Sequence, residues 1–416
     1  FIWKYRLYQP TRLDTPEREH IEILQTGQPN TDAGPDFTNV RIRIGTTQWA
    51  GNAEIHLKAS DWQRHGHHLN RAYDNVVIHL VGEKDAEVMT TGGHKILTVE
   101  LKWDSQLTER YLELRDEIHD IACSSKLGKV DAFIISHWMN RMVVERLEQK
   151  SEQVLGLLAE TSGDWQEVYY RKLFGALGMK VNSQPFEMLA RSLPFKFILK
   201  HRDNLFQLEA LLFGQAGFLS DRLFGEEYFL KLRQEYQYLQ CKYSLTPIEP
   251  HLWKFMRLRP SNFPTLRIAQ LANLLKDQMT DFDRLYKTPT PAPFVQWFHT
   301  GTSGFWETHY HFDKVSPYSD KHLGEMAASL LVVNAVVPVL FAWGRRNDNY
   351  QAVQRAMQYL ESLSPENNKV LRIWEHSGIP AKNAFDAQAL IQLYNRYCSH
   401  RHCLRCAIGN KLVTSI

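Results

Sequence analysis

The chain has 416 residues, 44% of them hydrophobic and 23% charged, and its formal net charge is only +3. This length predicts two or three domains, and the composition is that of a globular protein and excludes an intrinsically disordered one. Because the net charge is small, a chain that is basic throughout is also excluded, and any nucleic-acid surface must be a local patch.

The first part of the chain is predicted to alternate between strands and helices. Residues 1–8 have the pattern of the end of an aromatic helix, and Ser60 or Asp61 can cap a helix that runs to about residue 73. Alternating apolar and polar side chains predict strands over residues 20–25, 37–44, 48–58, 76–81 and 97–101. The order helix, three strands, helix, strand, with one strand added, predicts an α/β head built on a mixed sheet.

From about Trp103 the apolar pattern changes to the period of an amphipathic helix. Helices are predicted over residues 105–120, 130–160, 164–178, 184–192, 203–216, 225–240, 265–276, 321–343, 348–362 and 384–397. Loops rich in proline, threonine and serine are predicted at 244–264 and 287–304, and no strand is predicted after residue 125. The fold class is therefore an α/β head, residues 1–122, followed by an all-α body, residues 123–416.

The longest apolar stretch, residues 329–343, is predicted to be a buried helix. It is shorter than the roughly 18 residues of a membrane span, and it contains Asn334 and Pro338. We therefore expect no membrane association and no secretory signal. The chain has five cysteines, an odd number with three of them close together near one end, which is not typical of a disulfide framework. Reduced thiols and a cytoplasmic location are expected.

Acidic and basic side chains cluster in two neighbouring predicted strands. Asp36 follows a Gly-Pro pair and precedes one strand, while Glu54, His56 and Lys58 share one face of the next strand because strand side chains alternate. This pattern resembles the active-site hairpin of the PD-(D/E)XK nuclease superfamily, and the order of elements resembles its restriction-endonuclease-like core. In that hairpin a lysine follows the strand acid by two positions. Here His56 takes the lysine position, and Lys58 comes one step later.

The resemblance implies phosphodiester hydrolysis, which needs Mg²⁺ (or Mn²⁺) held by carboxylates and a water made nucleophilic beside the metal. Asp36 and Glu54 are predicted to bind the ion, and His56 and Lys58 to position water and the scissile phosphate. Possible accessory residues follow along the chain: Asp61, His65, His67 and His79. The simpler alternative is an ordinary Gly-Pro-Asp turn, a solvated strand face and surface histidines without a ligand.

Short stretches distributed along the chain also form a wider pattern. They are residues 30–37, 49–56, 60–62 with His65 and His67, 212–218, 259–264, 305–306 with His309 and Tyr310, and 403–409. Together they resemble an uncharacterised bacterial family, domain of unknown function 2851. This resemblance spans nearly the whole chain, and it implies no established activity.

The cysteines near the C-terminus have the spacing of metal ligands. Cys398, Cys403 and Cys406 supply three soft ligands for Zn²⁺ or a [4Fe–4S] cluster, and a fourth is needed. Cys123 is the preferred fourth ligand, and His400, His402 or Cys241 are the alternatives. A lone upstream cysteine with three at the end resembles the iron–sulfur staple of certain recombination-type exonucleases, although the spacing differs. The alternative is three buried free thiols.

A basic and aromatic stretch predicts a nucleic-acid contact. Trp253, Lys254, Arg257 and Arg259 interleave side chains that stack on bases with side chains that bind phosphates. The alternative, slightly favoured, is that they close a hydrophobic core. The sequence as a whole predicts a metal-dependent nuclease acting on DNA or RNA. A non-catalytic protein of that fold, which binds nucleic acid or a partner protein, and a metal-stapled structural scaffold are the alternatives.

Overall fold

The computed structural model describes residues 1–9, 13–15, 19–220, 226–276 and 281–414. The described residues form two compact units. The first consists of Phe1–Ile134 together with His400–Ile416, and the second of Ile135–Ser399. The predicted domains, 1–122 and 123–416, are consecutive segments, whereas in the structure the end of the chain packs with its beginning. The predicted domain boundary at residue 122 stays a prediction.

A mixed sheet forms the centre of the first unit, as predicted. Its strands are β1 Ile21–Gln25, β2 Gln28–Pro29, β3 Phe37–Ile44, β4 Thr47–Lys58, β5 Val76–Glu83 and β6 Thr98–Glu100. In the described residues the spatial order is β1-β3-β4-β5-β6, with β2 paired to β3. The β1–β3 and β3–β4 pairs are antiparallel, and the β4–β5 and β5–β6 pairs are parallel. The sheet therefore changes from antiparallel to parallel at β4.

Alternation of side chains explains how the sheet builds its core. Val40 and Ile42 of β3 and Ile78 and Leu80 of β5 are completely buried in one hydrophobic cluster. A second, smaller hydrophobic cluster forms around Trp62, in the segment that connects β4 to β5. Burial of these apolar side chains is the main favourable contribution to folding of the unit.

Two predictions of helices in the first unit are wrong: one helix is much shorter than predicted, and the other is not a regular helix. The crossover helix α1 spans only Asp61–Arg64, because Gly66 takes the left-handed conformation with φ +72° and ends it. Short 3₁₀ turns at His67–Leu69 and Arg71–Tyr73 replace the rest. The residues up to Tyr8 form turns, with Arg6 at φ +54°, and no regular helix. In both places the local backbone conformation overrides the apolar pattern.

The first unit also contains helices α2, Ser105–Asp116, and α18, Ala407–Thr414. The second unit is mostly helical. Its helices are α3 Ala132–Glu160 (which begins in the first unit), α4 Trp165–Leu177, α5 Ser183–Ser192, α6 Phe195–Leu199, α7 Leu205–Gln215, α8 Glu227–Tyr243, α9 Pro264–Lys276, α10 Asp283–Lys287, α11 Ala292–Phe298, α12 Gly304–Glu307, α13 Glu325–Leu331, α14 Val337–Arg346, α15 Tyr350–Ser362, α16 Lys369–His376 and α17 Ala384–Leu393.

Every helix predicted for the body is present, although the first residue of the predicted 225–240 helix lies outside the described residues. The prediction of an all-α body is wrong in one detail, because His309–His311 (β7) and Lys314–Val315 (β8) form a small antiparallel hairpin. Strands this short leave too few residues for a period of two to stand out in the sequence.

Helices α13 and α14 are joined by a π-helical turn at Val332–Val336 into one apolar helix, Glu325–Arg346. The helix is long and apolar enough to cross a membrane. However, 67% of its most apolar window is buried in the protein, which is typical of a core helix. The prediction of a buried helix over 329–343 agrees with this packing.

Candidate metal centre

Asp36 and Glu54 meet where β3 begins beside the middle of β4. The backbone N–H of Asp36 donates to Glu54 Oε2 at 2.9 Å, and the backbone N–H of Ile55 donates to Asp36 Oδ2 at 3.1 Å. Glu54 therefore accepts a hydrogen bond from the residue just before β3. Asp36 accepts one from β4, the strand that carries Glu54. Glu54 is buried. The two acids that the sequence singled out are brought together and oriented by the sheet itself.

Histidines surround the second oxygen of Glu54. Glu54 Oε1 lies 3.3 Å from His67 Nε2 and 3.7 Å from His56 Nε2. His56 Nε2 is also 3.1 Å from His65 Nδ1, and His56 Nδ1 is 2.8 Å from His79 Nε2. One ligand atom from each of His56, His65 and His67 lies within 4.8 Å of the other two. His56 and His67 thus face the buried carboxylate of Glu54, and His65 and His79 join the cluster through His56.

The local chain geometry explains why these side chains meet. Strand period places Glu54 and His56 on one face of β4, and the parallel register pairs Glu54 with His79 of β5. His65 and His67 flank the left-handed turn at Gly66, which reverses the chain over that face. The site is therefore built where a parallel crossover begins, between α1 and the sheet.

Aromatic rings that the sequence reasoning did not select hold the histidines in place. Tyr73 stacks on His67 with ring centroids 3.9 Å apart, and the buried Trp62 packs edge-on against His67 at 5.3 Å and tilted against His79 at 5.2 Å. The sequence signal for this role is the apolar character of Trp62 and Tyr73 between polar neighbours. Rings packed in this way restrict the orientation of the imidazoles.

Burial controls the charges of the cluster. It raises the pKa of Glu54 to about 7, although the hydrogen bond from the Asp36 N–H acts in the opposite direction. Burial, together with the neighbouring imidazoles, lowers the pKa of His56 to about 4 and of His79 to about 3, and it also lowers the pKa of His67. These three imidazoles are consequently neutral near pH 7, and neutral imidazole has a lone pair that can bind a metal.

The donor set fits a divalent ion with mixed oxygen and nitrogen ligands. His67 Nε2 is buried and makes no hydrogen bond to any described residue, although it faces Glu54 Oε1. A buried polar atom without a partner is unusual, and a bound ion would satisfy it. Asp36 and Glu54 supply oxygens of the kind that the predicted Mg²⁺ or Mn²⁺ would need, and the imidazoles supply nitrogen.

Two further predicted residues lie beside this cluster. Lys58 Nζ is 3.1 Å from Glu83 Oε2 on β5, and more than half of the Lys58 side chain is exposed. Asp61 Oδ2 accepts from the backbone N–H of Lys58 at 3.3 Å, and its Oδ1 is 2.9 Å from Arg64 Nη2. Asp61 thus ties the end of β4 to α1, while a catalytic role for Lys58 stays a prediction.

The predicted cysteine site is brought together in part. In the first unit, burial and, to a smaller extent, the nearby thiols of Cys406 and Cys403 raise the pKa of Cys123 to about 12. Cys398 ends a π-helical turn that belongs to the second unit. Among the described residues, a group of three ligand atoms within 4.8 Å is formed by the histidines and not by these sulfurs. Zinc or iron–sulfur at the cysteines stays a prediction.

The four residues of the predicted nucleic-acid stretch differ in their burial. Trp253 is buried, packs against Phe186 and donates its indole N–H to the carbonyl oxygen of Ala216 at 2.9 Å. It is a core residue whose ring cannot stack on bases, so this part of the prediction is wrong. Lys254, Arg257 and Arg259 are exposed.

The first unit is thus an α/β unit whose mixed sheet and crossover hold a partly buried centre of carboxylates and imidazoles. The chain belongs to the family described as "Protein of unknown function (DUF2851)", whose model matches residues 1–369. This match confirms the wider resemblance seen in the sequence. Comparison with curated proteins and with solved structures returns no match.

Proposed function

We propose that the first unit is a metal-dependent nuclease that hydrolyses phosphodiester bonds in DNA or RNA. The observation that carries this proposal is the approach of the two acids: the Asp36 N–H donates to Glu54, the Ile55 N–H donates to Asp36, and three imidazoles lie beside them. The sheet supports it as well, because the acids lie on the antiparallel β3–β4 pair and β4 is followed by a parallel crossover to β5. That arrangement agrees with a restriction-endonuclease-like core.

A divalent ion at this site would polarise the phosphate and lower the pKa of a bound water. The residues of the chain provide the rest. Glu54 and the imidazoles of His56, His65 and His67 would hold the ion, and Asp36 keeps one orientation because the Ile55 N–H binds its Oδ2. Trp62 and Tyr73 exclude water from the inner side of His67. His65 lies on the exposed side, from which a phosphate can approach.

Exposed cations on the second unit are the proposed phosphate contacts. Lys254, Arg257 and Arg259 occupy a stretch of 3₁₀ turns and loops before α9. Lys and Arg bind the backbone of a nucleic acid without reading its sequence. We expect this contribution to weaken as salt concentration rises. A cytoplasmic location, where nucleic acids and reduced thiols coexist, stays part of the proposal.

The test is cleavage of fluorescent single- and double-stranded DNA and RNA by the full chain, with Mg²⁺, Mn²⁺ or EDTA. Glu54→Gln and Asp36→Asn should each lower the rate by at least about 100-fold, because loss of metal-based stabilisation of the transition state costs several kcal/mol. Glu87→Gln, on an exposed carboxylate paired with Lys95, is the matched control and should cleave normally.

Thermal unfolding of each variant establishes that it remains folded. Cleavage that survives in both acid variants would show that the activity belongs to a contaminant, and the proposal would fall. Binding of nucleic acid without cleavage by any ion would instead support the non-catalytic alternative.

A further inference from the structure

We propose that His56, His65, His67 and Glu54 bind a first-row transition-metal dication of the zinc class in preference to Mg²⁺, and that His79 is a positioning residue for His56. The inference assigns the ion of the site described above, and its consequence for catalysis rests on the proposed function. Binding of the ion can be measured without any activity.

The donor atoms of the cluster are spaced as metal ligands are. In a tetrahedral zinc site with ligand bonds near 2.0–2.1 Å, neighbouring ligand atoms lie roughly 3.3 Å apart. The corresponding distances here are 3.1 Å between His56 Nε2 and His65 Nδ1, 3.3 Å between His67 Nε2 and Glu54 Oε1, and 3.7 Å between His56 Nε2 and Glu54 Oε1. Three of the six separations among the four atoms are thus close to those of one coordination shell, and the three imidazole donors lie within 4.8 Å of one another.

The cluster contains a buried nitrogen that makes no hydrogen bond to the described residues. His67 Nε2 is buried and has no hydrogen-bond partner among the described residues, although a carboxylate oxygen lies close to it. His56 Nε2 faces both that oxygen and another imidazole nitrogen. A single cation among these atoms would give both His67 Nε2 and His56 Nε2 a partner for their lone pairs.

The chemistry of the donors selects the class of ion. Mg²⁺ requires an octahedral shell of oxygens at 2.0–2.1 Å, much of it water. Neutral imidazole nitrogen instead suits zinc, iron, nickel and copper. Two carboxylates, those of Asp36 and Glu54, balance the charge of one dication. Three nitrogen donors to one direct carboxylate oxygen are therefore the ligand set of a transition metal.

His79 acts on the site through His56. It is completely buried on β5, and its Nε2 lies 2.8 Å from His56 Nδ1. If His56 Nε2 binds the ion, His56 Nδ1 must carry the proton and donate it in a hydrogen bond to His79 Nε2. A partner of this kind fixes both the tautomer and the ring orientation of a metal-bound histidine.

The experiment titrates chelator-treated full-length protein with Zn²⁺, Mn²⁺ or Mg²⁺ by calorimetry and counts bound metal by elemental analysis. Zinc should bind at least about 100-fold more tightly than Mg²⁺. His65→Ala changes an exposed ring and should remove about one equivalent of tightly bound zinc without loss of the fold, and His67→Ala should do the same. His94→Ala, on an exposed histidine away from the cluster, is the control. The difference in bound zinc between the unchanged protein and each histidine variant separates this site from any zinc held by the cysteines.

The role of His79 has a test of its own. His79→Phe keeps the volume of the ring but removes the acceptor, and it should weaken zinc binding by about 10- to 100-fold. His79→Gln restores an acceptor oxygen near the position of Nε2 and should recover most of the affinity. Equal affinity in both variants would show that His79 only fills space.

The outcomes separate the two proposals. Tight zinc binding that depends on His65 and His67, without cleavage of any nucleic acid, leaves the metal assignment standing and overturns the nuclease. Magnesium-dependent cleavage that survives His65→Ala and His67→Ala, with zinc stoichiometry unchanged, overturns the metal assignment and leaves the nuclease standing.

Discussion

Glu209 is a buried carboxyl in the second unit that lies outside the candidate metal centre. It is 1% exposed, accepts a hydrogen bond from the Tyr228 hydroxyl at 2.6 Å and another from Ser303 Oγ at 2.7 Å. Burial raises its pKa from the ordinary 4.5 to about 7, although both hydrogen bonds act in the opposite direction. The apolar run around Glu209 on α7 indicates burial, but only packing could reveal its two hydrogen-bond partners.

Glu209 should make the stability of the protein depend on pH. Between pH 4.5 and about pH 7 the folded chain keeps the proton of Glu209, whereas the unfolded chain releases it. The contribution of Glu209 to the free energy of unfolding is therefore full below pH 4.5 and is lost as the pH rises to about 7. Glu209→Gln should flatten this decline and raise the melting temperature relative to the unchanged protein at pH 8 but not at pH 4.5.

Thermal unfolding from pH 4.5 to 8 measures the effect. Glu152→Gln, on the exposed side of α3, is the control and should leave the profile unchanged. A profile that Glu209→Gln does not alter would show that Glu209 titrates in the folded protein as it does in the unfolded chain.

At the scale of elements, the contact between α7 and α8 depends on a glycine. A Cβ added at Gly214 would lie 2.0 Å from Tyr236 Cγ, so the ring of Tyr236 packs directly on the α7 backbone. The Tyr236 hydroxyl then donates to Gln215 Oε1 at 3.0 Å. The helix pattern of the sequence predicts both elements, but the partner that makes this glycine necessary comes from a different helix.

Gly214→Ala should therefore destabilise the protein, by about 1–3 kcal/mol or more, because the added methyl group overlaps a ring that is already held by packing and a hydrogen bond. Gly156→Ala makes the same chemical change on α3, where nothing lies within 4 Å of the new Cβ. It should stabilise the protein by about 0.5–1 kcal/mol, because alanine loses less backbone entropy in a helix.

Chemical denaturation of the two variants gives the comparison. Destabilisation of both to the same extent would contradict the packing argument, since only one of the two methyl groups meets an obstacle.

At the scale of the whole molecule, the chain returns to its first unit after residue 399. Helix α18 packs on α2, and Arg401 Nη2 donates to the carbonyl oxygens of Glu117 and His119 at 2.7 Å. A Cβ at Gly409 would lie 2.4 Å from the Cys403 carbonyl oxygen, so glycine is needed for α18 to begin this close to the cysteines. Cys403 and Cys406 are thereby brought near Cys123.

A metal held by these cysteines would add to the folding free energy, since it would close a very long loop. Cys123→Ser should lower the melting temperature by several degrees and remove about one zinc, or about four iron with matching sulfide, per chain. Cys241→Ser, on an exposed cysteine of the second unit, should change neither quantity.

Elemental analysis and thermal unfolding of freshly purified protein measure both effects. Unchanged metal content in Cys123→Ser would show that Cys123 is not a ligand. A metal-held link between Cys123 and the C-terminal cysteines would then be excluded.

The sequence by itself determined the features that depend on near neighbours in the chain. The period of two located β3 over its full length, and together with a Gly-Pro pair it predicted that Asp36 and Glu54 lie on adjacent strands. The tertiary structure decided which groups face one another across distant segments. It buried Trp253, paired Lys58 with Glu83 and placed His79 against His56. Alternation and helix periodicity are properties of a single segment, whereas burial and ligand geometry depend on the packing of segments far apart in the chain.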